Sequence, residues 1–450
     1  MSTINTREIV LDMLLLVDKE EVYSHRIIRD VLFKYDYLSG QEKAFIKRLF
    51  EGTIERRIEL DYILNTVSSV PVKKMKPLIR NLLRMSTYQI LYMDSVPDAA
   101  AVSEAVKLAG KRKFVNLKGF VNGILRKLAK GYQVILPDEE KNPVSYLSVV
   151  CSMPEWIVKH FLNSYSYEEV KKLLEALLAV RPVTIRFAPM PQTEKEALIK
   201  KMQADGVEVK EHPYVKEACY LYNCENMAAL PGFYEGKFTV QDASSMLAVA
   251  AAGIKEGDKV LDICAAPGGK SMLAATYAGV NGLVEARDVS EFKVESIEEN
   301  IERMGLTNIR TKVFDATVAD DSMAEWADVV LADVPCSGLG VMGKKRDIKY
   351  RQKEESLAEI VTLQKSILKQ AVNYVKPGGT LLFSTCTINP SENEEMVAFI
   401  NRELGLVPDS VEQYVKKLPG TDTAKEGYLQ LLPHVHDTDG FFFARFKKPV

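Results

Sequence analysis

The sequence predicts a multidomain chain of three parts. Residues 1–133 read as an all-α domain, 144–236 as a small α+β module, and 237–450 as an α/β domain with a doubly wound parallel sheet. Three observations carry this. The first third holds long amphipathic patterns with almost no strand signal. The middle mixes short strand and helix patterns. From residue 237 onward, apolar runs alternate with helical patterns, as βα units require.

Each part has its own markers. In the helical part, Val102, Ala105, Val106 and Ala109 recur at three- and four-residue spacing, one face of a helix. Leu136-Pro137-Asp138 through Asn142-Pro143 reads as a linker. The module offers a strand from Val183 to Phe187, a helix from Thr193 to Asp205 and a strand from Ala218 to Tyr222. In the last part, apolar runs predict buried strands at Lys259 to Ile263, Leu283 to Ala286, Arg310 to Phe314, Ala327 to Leu331 and Thr380 to Phe383.

Composition narrows the class. The chain has 450 residues, 47% hydrophobic and 27% charged, which is ordinary for a globular protein. No apolar stretch reaches the ~20 residues that span a bilayer. Glu8 and Asp12 interrupt the first apolar pattern, which a secretory signal would not tolerate. A cytoplasmic protein without a membrane partner is expected, acting as a monomer. Six cysteines in this length make no disulfide framework, and no Cys-x-x-Cys pair suggests zinc. No metal is expected. Cys151, Cys219 and Cys224 read as small buried hydrophobes. His434 and His436 read as polar loop or strand residues.

A net charge of −2 means that a polyanion must be held by local patches. Two such patches lie in the helical part. Pro71 to Met93 carries Lys73, Lys74, Lys76, Arg80 and Arg84 and no acid. Lys111 to Gly131 carries Lys111, Arg112, Lys113, Lys118, Arg126, Lys127 and Lys130, again without an acid. A solvated helix face explains one such run; two in one helical domain favour nucleic acid.

The chemistry concentrates after residue 259. The first strand of the sheet runs into Cys264-Ala265-Ala266-Pro267-Gly268-Gly269-Lys270, a small-residue loop that lets a nucleotide approach the backbone. Gly269-Lys270-Ser271 matches the end of a phosphate-binding loop, but the first glycine of that motif would fall on Cys264. Asp288 follows the second strand, about 20 residues on, where a carboxylate meets ribose hydroxyls. Asp315 ends the third strand, placed for an adenine edge, and Asp333 ends the fourth. Acids at successive strand ends suit a nucleoside without phosphates, which points to S-adenosylmethionine over NAD or ATP. Two thiols join them. Cys336 lies in Asp333-Val334-Pro335-Cys336-Ser337-Gly338 and Cys386 in Ser384-Thr385-Cys386-Thr387, each just past a buried strand.

These motifs, with Pro390-Ser391-Glu392-Asn393-Glu394, Val240-Gln241-Asp242-Ala243-Ser244-Ser245 and Asp439-Gly440-Phe441-Phe442-Phe443-Ala444-Arg445, closely resemble those of RNA 5-methylcytosine methyltransferases. The resemblance covers residues 150–446. Tyr88-Gln89-Ile90-Leu91-Tyr92-Met93 and Phe120-Val121-Asn122-Gly123-Ile124-Leu125-Arg126 make the first 133 residues resemble a NusB-like RNA-binding domain. The fusion is characteristic of the RsmB/NOP RNA methyltransferase family, in its branch acting on 16S ribosomal RNA. The resemblance implies a Rossmann-like methyltransferase domain and S-adenosyl-L-methionine as cofactor. It implies Cys386 as the nucleophile toward carbon 6 of cytosine, Cys336 as the residue assisting product release, and Asp333 as a residue steadying the base. Cys264, Ala265, Ala266, Pro267, Gly268, Gly269, Lys270, Asp288, Asp315 and Asp333 are then the cofactor-binding set. Arg346 stands before Asp347-Ile348-Lys349, where the family usually has proline.

Overall fold

The computed structural model describes residues 5–19, 22–224 and 226–450. The chain forms two compact units: residues 1–179 with 342–354, and residues 180–341 with 355–450.

The first unit is helical. Its opening helix, Thr6–Asp18, is capped by Asn5, whose side chain accepts from the Glu8 amide. That helix buries Val10, Leu11, Met13, Leu14 and Val17. A Ser39/Glu42 capping box starts the helix Gly40–Glu55, satisfying two otherwise orphaned amides. At the centre runs Pro77–Tyr92, with proline at its first turn, where no backbone N–H is missed. It is buried on almost every side, including the polar Asn81, Arg84 and Gln89.

Burial of that helix changes the meaning of the first basic run. Arg84 makes a two-pronged pair with Asp61, at 2.7 and 2.6 Å. Arg80 donates to Asp18 at 2.6 Å. In the second run, Lys111 pairs with Glu8, and Arg112 with Glu8 and Asp12. Four of the cations that the sequence offers to a polyanion are thus engaged by acids from distant helices. Lys73, Lys74, Lys76, Lys118, Arg126, Lys127 and Lys130 stay exposed.

The stretch 144–236 is divided in space. Its helices Pro143–Val150, Glu155–Leu162 and Tyr167–Leu178 belong to the helical unit. Its strands β1 (Val183–Phe187), β2 (Glu208–Glu211) and β3 (Ala218–Tyr222) belong to the second unit and join β4 (Phe238–Val240) in an antiparallel sheet of order β2-β3-β1-β4. The helix Gln192–Ala204 supplies Leu198 and Met202 to the core beneath that sheet.

The large sheet holds β5 (Lys259–Asp262), β6 (Leu283–Asp288), β7 (Ile309–Val313), β8 (Ala327–Asp333), β9 (Val375–Thr385), β10 (Val407–Pro408), β11 (Tyr428–Leu431) and β12 (Phe441–Lys447). Its order is β7-β6-β5-β8-β9-β12-β10, with β11 on β12. The first five strands are parallel, so β5 and β8 flank the point where the strand order reverses. Ligands of open α/β sheets bind outside the strand ends at that point. The sheet is not parallel throughout: β10, β11 and β12 run antiparallel at its edge. β9 is longer than its apolar run. Lys376-Pro377-Gly378-Gly379 is absorbed as a bulge opposite β8, with Gly378 at φ +73°, which its missing Cβ permits. His434 and His436 lie on a short helix, Pro433–His436, where the sequence suggested loop or strand; the buried His436 ring accepts from the Leu432 amide through Nδ1.

Candidate active site

β5 delivers the loop. After Asp262 the chain turns through Cys264–Gly268 and enters the helix Gly269–Ala278. The turn is held by Ala265 N donating to Arg287 O, and Gly268 N to Ala265 O. Gly268 has φ +96°, and a Cβ there would press Ile297 at 3.1 Å. Only glycine lets this backbone lie flat under a ligand. Cys264 points to no chemistry of its own: burial holds its thiol well above the usual range.

Asp288, at the end of β6, is 5% exposed. Its Oδ2 accepts from Ala266 N at 3.2 Å, so it also fixes the loop. Its Oδ1 lies 3.1 Å from Lys293 Nζ, but the ion pair leaves that oxygen without a hydrogen bond. A buried carboxylate oxygen with unused acceptor capacity beside a small-residue loop fits a ribose hydroxyl. The residues therefore fit the methyl donor that the sequence implies. Asp315, past β7, is exposed, and its Oδ1 is held by the amide and hydroxyl of Thr317. It sits at the same edge, as an Asx turn.

β8 and β9 bring the rest together. Asp333 Oδ2 accepts from Lys270 Nζ at 2.6 Å, and Oδ1 from Ser384 Oγ at 2.7 Å. Burial opposes the charge of Lys270, but Asp333 outweighs it and raises the ammonium above its ordinary range; the Cys386 sulfur adds to this. Positive charge is thereby held beside Cys386, as a reactive thiolate needs.

The two thiols meet. Cys336 Sγ lies 3.2 Å from Cys386 Sγ, and the Cys386 amide donates to Cys336 Sγ at 3.3 Å. Adjacent parallel strands in register explain the encounter: Asp333 of β8 pairs with Ser384 of β9, and each thiol follows a few residues later. The contact with Cys386, then burial, then Glu392 and Asp333 push the Cys336 thiol well up. The two sulfurs thus share one small space, with the Lys270 ammonium acting on Cys386. Behind them, Gly340 N donates to Cys386 O, and Gly440 N to Gly340 O. A Cβ on Gly340 would lie 1.9 Å from Gly440 O, so only glycine passes there.

Sequence reasoning missed several residues. Asp262 is 1% exposed, accepts from Ser271 Oγ at 2.6 Å, and is pushed up to about 7, mainly by burial. Gln241 donates to Gly269 O, fixing the loop from the side. Glu392 and Asn393 lie fully buried behind the thiols, although the sequence quoted them only as part of a motif. A pattern shows that an acid is there, at the end of β5 for Asp262 and on a short turn for Glu392, but not that it is buried or what bonds to it.

Comparisons with known proteins bear on the family and the fold. The family model described as "16S rRNA methyltransferase RsmB/F" matches residues 249–447, "NusB family" matches 4–130, and "Methyltr_RsmF/B-like, ferredoxin-like domain" matches 153–227. A protein of Bacillus subtilis named "Probable ribosomal RNA small subunit methyltransferase B" is 36% identical over 100% of both chains. A "Ribosomal RNA small subunit methyltransferase B" of Salmonella arizonae is 32% identical over 91% of this chain and 92% of its own. Among solved structures, "Crystal Structure of PH0851" matches with TM-score 0.82 and 25% identity, covering 99% of each chain. "The crystal structure of NSun6 from Pyrococcus horikoshii with SFG" shares the fold with TM-score 0.57 at 22% identity, over 66% of this chain and 98% of that one. The protein is thus an S-adenosylmethionine-dependent RNA methyltransferase. With full-length relatives and matching models along most of its length, the chain belongs to the RsmB/F family of 16S rRNA methyltransferases.

Proposed function

We propose that the protein methylates carbon 5 of a cytosine in small-subunit ribosomal RNA through a covalent adduct at Cys386. The observation that supports this most is the thiol pair, 3.2 Å apart, beside the Lys270–Asp333 ion pair. Carbon 5 of cytosine is a poor nucleophile. Cys386 Sγ adds to carbon 6, the 5,6 double bond breaks, and its electron pair makes carbon 5 an enamine carbon. S-adenosylmethionine, when bound, supplies the electrophilic methyl group that carbon 5 takes up. A base then removes the carbon-5 proton, the double bond re-forms, and the Cys386–carbon bond breaks to release thiolate.

The chain's own residues divide this work. Lys270 favours Cys386 as thiolate before addition and after release. Cys336, 3.2 Å from Cys386, assists the elimination by taking up the carbon-5 proton as the Cys386–carbon bond breaks. Asp333, aligned by Lys270 and Ser384, holds the amidine edge of the base. The loop 264–270 and Asp288 hold the cofactor, with Asp315 at its rim. The base leaves its stack to reach this site. The exposed cations of the helical unit, among them Arg126, Lys127 and Lys130, meet RNA phosphates.

The test is electrophoretic. With cofactor and rRNA present, Cys336→Ala adds to the base but stalls, giving a slow protein–RNA band under denaturing conditions. Cys386→Ala gives no band and no methyl transfer. A band from Cys386→Ala and none from Cys336→Ala reverses the assignment and makes Pro335-Cys336 the nucleophile, as in DNA cytosine methyltransferases.

A further inference from the structure

We infer that Glu392 is a positioning residue for the thiol pair: its carboxylate ties the loop carrying Cys336 to the loop following Cys386 and so fixes the gap between the two sulfurs. The inference rests on the reading of these cysteines as the reacting thiols.

Glu392 ends the short turn Pro390–Glu392 and is 0% exposed. Its Oε2 accepts from Ser337 N at 2.8 Å and from Gln364 Nε2 at 3.0 Å. Its Oε1 accepts from Ser337 Oγ and, at 2.9 Å, from Asn389 Nδ2. Four donors on two oxygens match a group that only accepts. Ser337 directly follows Cys336, while Asn389 and the carboxylate's own turn follow Cys386. Two further bonds close the bracket. Gln364 Nε2 also donates to Pro335 O at 2.9 Å, and Ser337 Oγ lies 2.7 Å from Thr387 Oγ1. The residues on both sides of Cys336 and the residue after Cys386 are therefore reached from one buried carboxylate.

Asn393 completes the other side. Thr385 Oγ1 donates to its Oδ1 at 2.6 Å, and its Nδ2 donates to Thr387 O at 3.1 Å. Cys386 is thus pinned by both neighbours. A buried carboxylate is costly unless fully hydrogen-bonded, and an apolar residue of equal size would fill the space without that cost. What an apolar residue cannot do is hold two loops at a fixed offset. A thiol pair that must add and eliminate at one base needs that offset, because misplacement by ~1 Å lowers rates about 100-fold.

Glu392→Gln tests this, since it keeps the volume and replaces an acceptor with a donor. The Ser337 amide is fixed, and Asn389 Oδ1 is held by the Ser391 amide, so either orientation of the new amide sets donor against donor. Wild type, Glu392→Gln, Ser337→Ala and Cys386→Ala are compared by urea midpoint, calorimetric affinity for S-adenosylmethionine, and turnover on rRNA. Iodoacetamide labelling of Cys336 and Cys386 is read separately by peptide mass spectrometry. Glu392→Gln should lower kcat about 100-fold with cofactor affinity within about twofold. It should also change the ratio of the two labelling rates. Ser337→Ala, which keeps the backbone donor, should lower kcat about tenfold and serves if Glu392→Gln does not fold. With Cys386→Ala inactive, turnover within about threefold of wild type in the folded variants overturns the inference and leaves the thiol reading intact. Turnover falling in step with cofactor affinity also overturns it, since Glu392 then only holds the fold. An active Cys386→Ala overturns the thiol reading itself.

Discussion

In the helical unit, Arg84 grips Asp61 and Arg80 grips Asp18; at the strand ends of the second unit, Lys270 grips Asp333. The residue types are alike and the distances equal, at 2.6 Å. Their surroundings differ. Arg84 reaches Asp61 from a buried helix, and its other partners, Asn81 and Asp18, are structural as well. Lys270 and Asp333 sit at the mouth of a sheet, with Ser384 on the far oxygen and Cys386 within reach of the ammonium. An ion pair inside a bundle holds helices; the pair at the strand end is the one the proposed reaction uses.

Breaking both pairs sharpens the contrast. Asp333→Ala should lower methyl transfer about 1,000-fold while the urea midpoint moves little. A variant with near-normal turnover would remove Asp333 from the chemistry. Arg84→Ala should do the reverse. It leaves Asp61 facing a largely buried gap and should cost about 3 kcal/mol in urea unfolding. Turnover per folded molecule should hold; a specific loss of turnover would blur the comparison.

The cofactor side and the RNA side can be separated in the same way. Asp288→Asn should weaken S-adenosylmethionine about 10- to 100-fold by calorimetry, equal to about 1.4 to 2.8 kcal/mol, in a folded protein. Unchanged affinity would make Asp288 only a brace for the loop through Ala266. Replacing Arg126, Lys127 and Lys130 with alanine should reduce the salt slope of RNA binding by about 2 units and leave stability within ~0.5 kcal/mol. Replacing Lys111 and Arg112, which face Glu8 and Asp12, should change stability more than the slope. The opposite pattern would return these two cations to the RNA face.

The smallest effect is a pH dependence at Asp262. Its folded carboxyl is raised to about 7, mainly by burial, with Asp333 acting in the same direction and Lys270 and Ser271 against it. A carboxyl raised on folding stabilises the fold below its unfolded value near 4, and that benefit fades as pH climbs toward 7. Asp262→Asn should flatten the stability profile across that window, seen in urea midpoints at pH 5 and pH 8. Parallel profiles for the two proteins would show that Asp262 stays charged.

How much of this was legible in the sequence follows from the same comparison. The loop 264–270, Asp288, Asp333 and the two thiols were readable because each is welded to a strand end, and parallel strands fix where their ends lie. The basic runs were legible only in part, because some of their partners are remote: Arg80 meets an acid 62 residues away and Arg112 one 100 residues away. Local absence of acid says nothing about acids folded onto the run. Glu392 was visible as a letter in a motif, but its four bonds depend on a helix and two loops that no spacing relates. The antiparallel edge was hidden for a different reason: Phe441–Lys447 is buried along most of its length, and an apolar run carries no sign of its direction.

The loop 342–354 has a consequence for how such a protein can be inherited or cut. It leaves the sheet-bearing unit shortly after Cys336 yet belongs to the helical one. Asp347, 1% exposed, accepts from the amide and hydroxyl of Ser24. Arg346 pairs with Glu51 and Glu55, and Lys349 is buried against Glu55 O with its ammonium pushed down to about 7 by desolvation. A chain beginning at residue 180 would therefore keep this loop and lose Ser24, Glu51 and Glu55, with a buried lysine and aspartate turned out into water. The two units are modules by contact but not by sequence. Shuffling the helical part between relatives would have to carry two separate stretches of gene together, one of them inside the catalytic half.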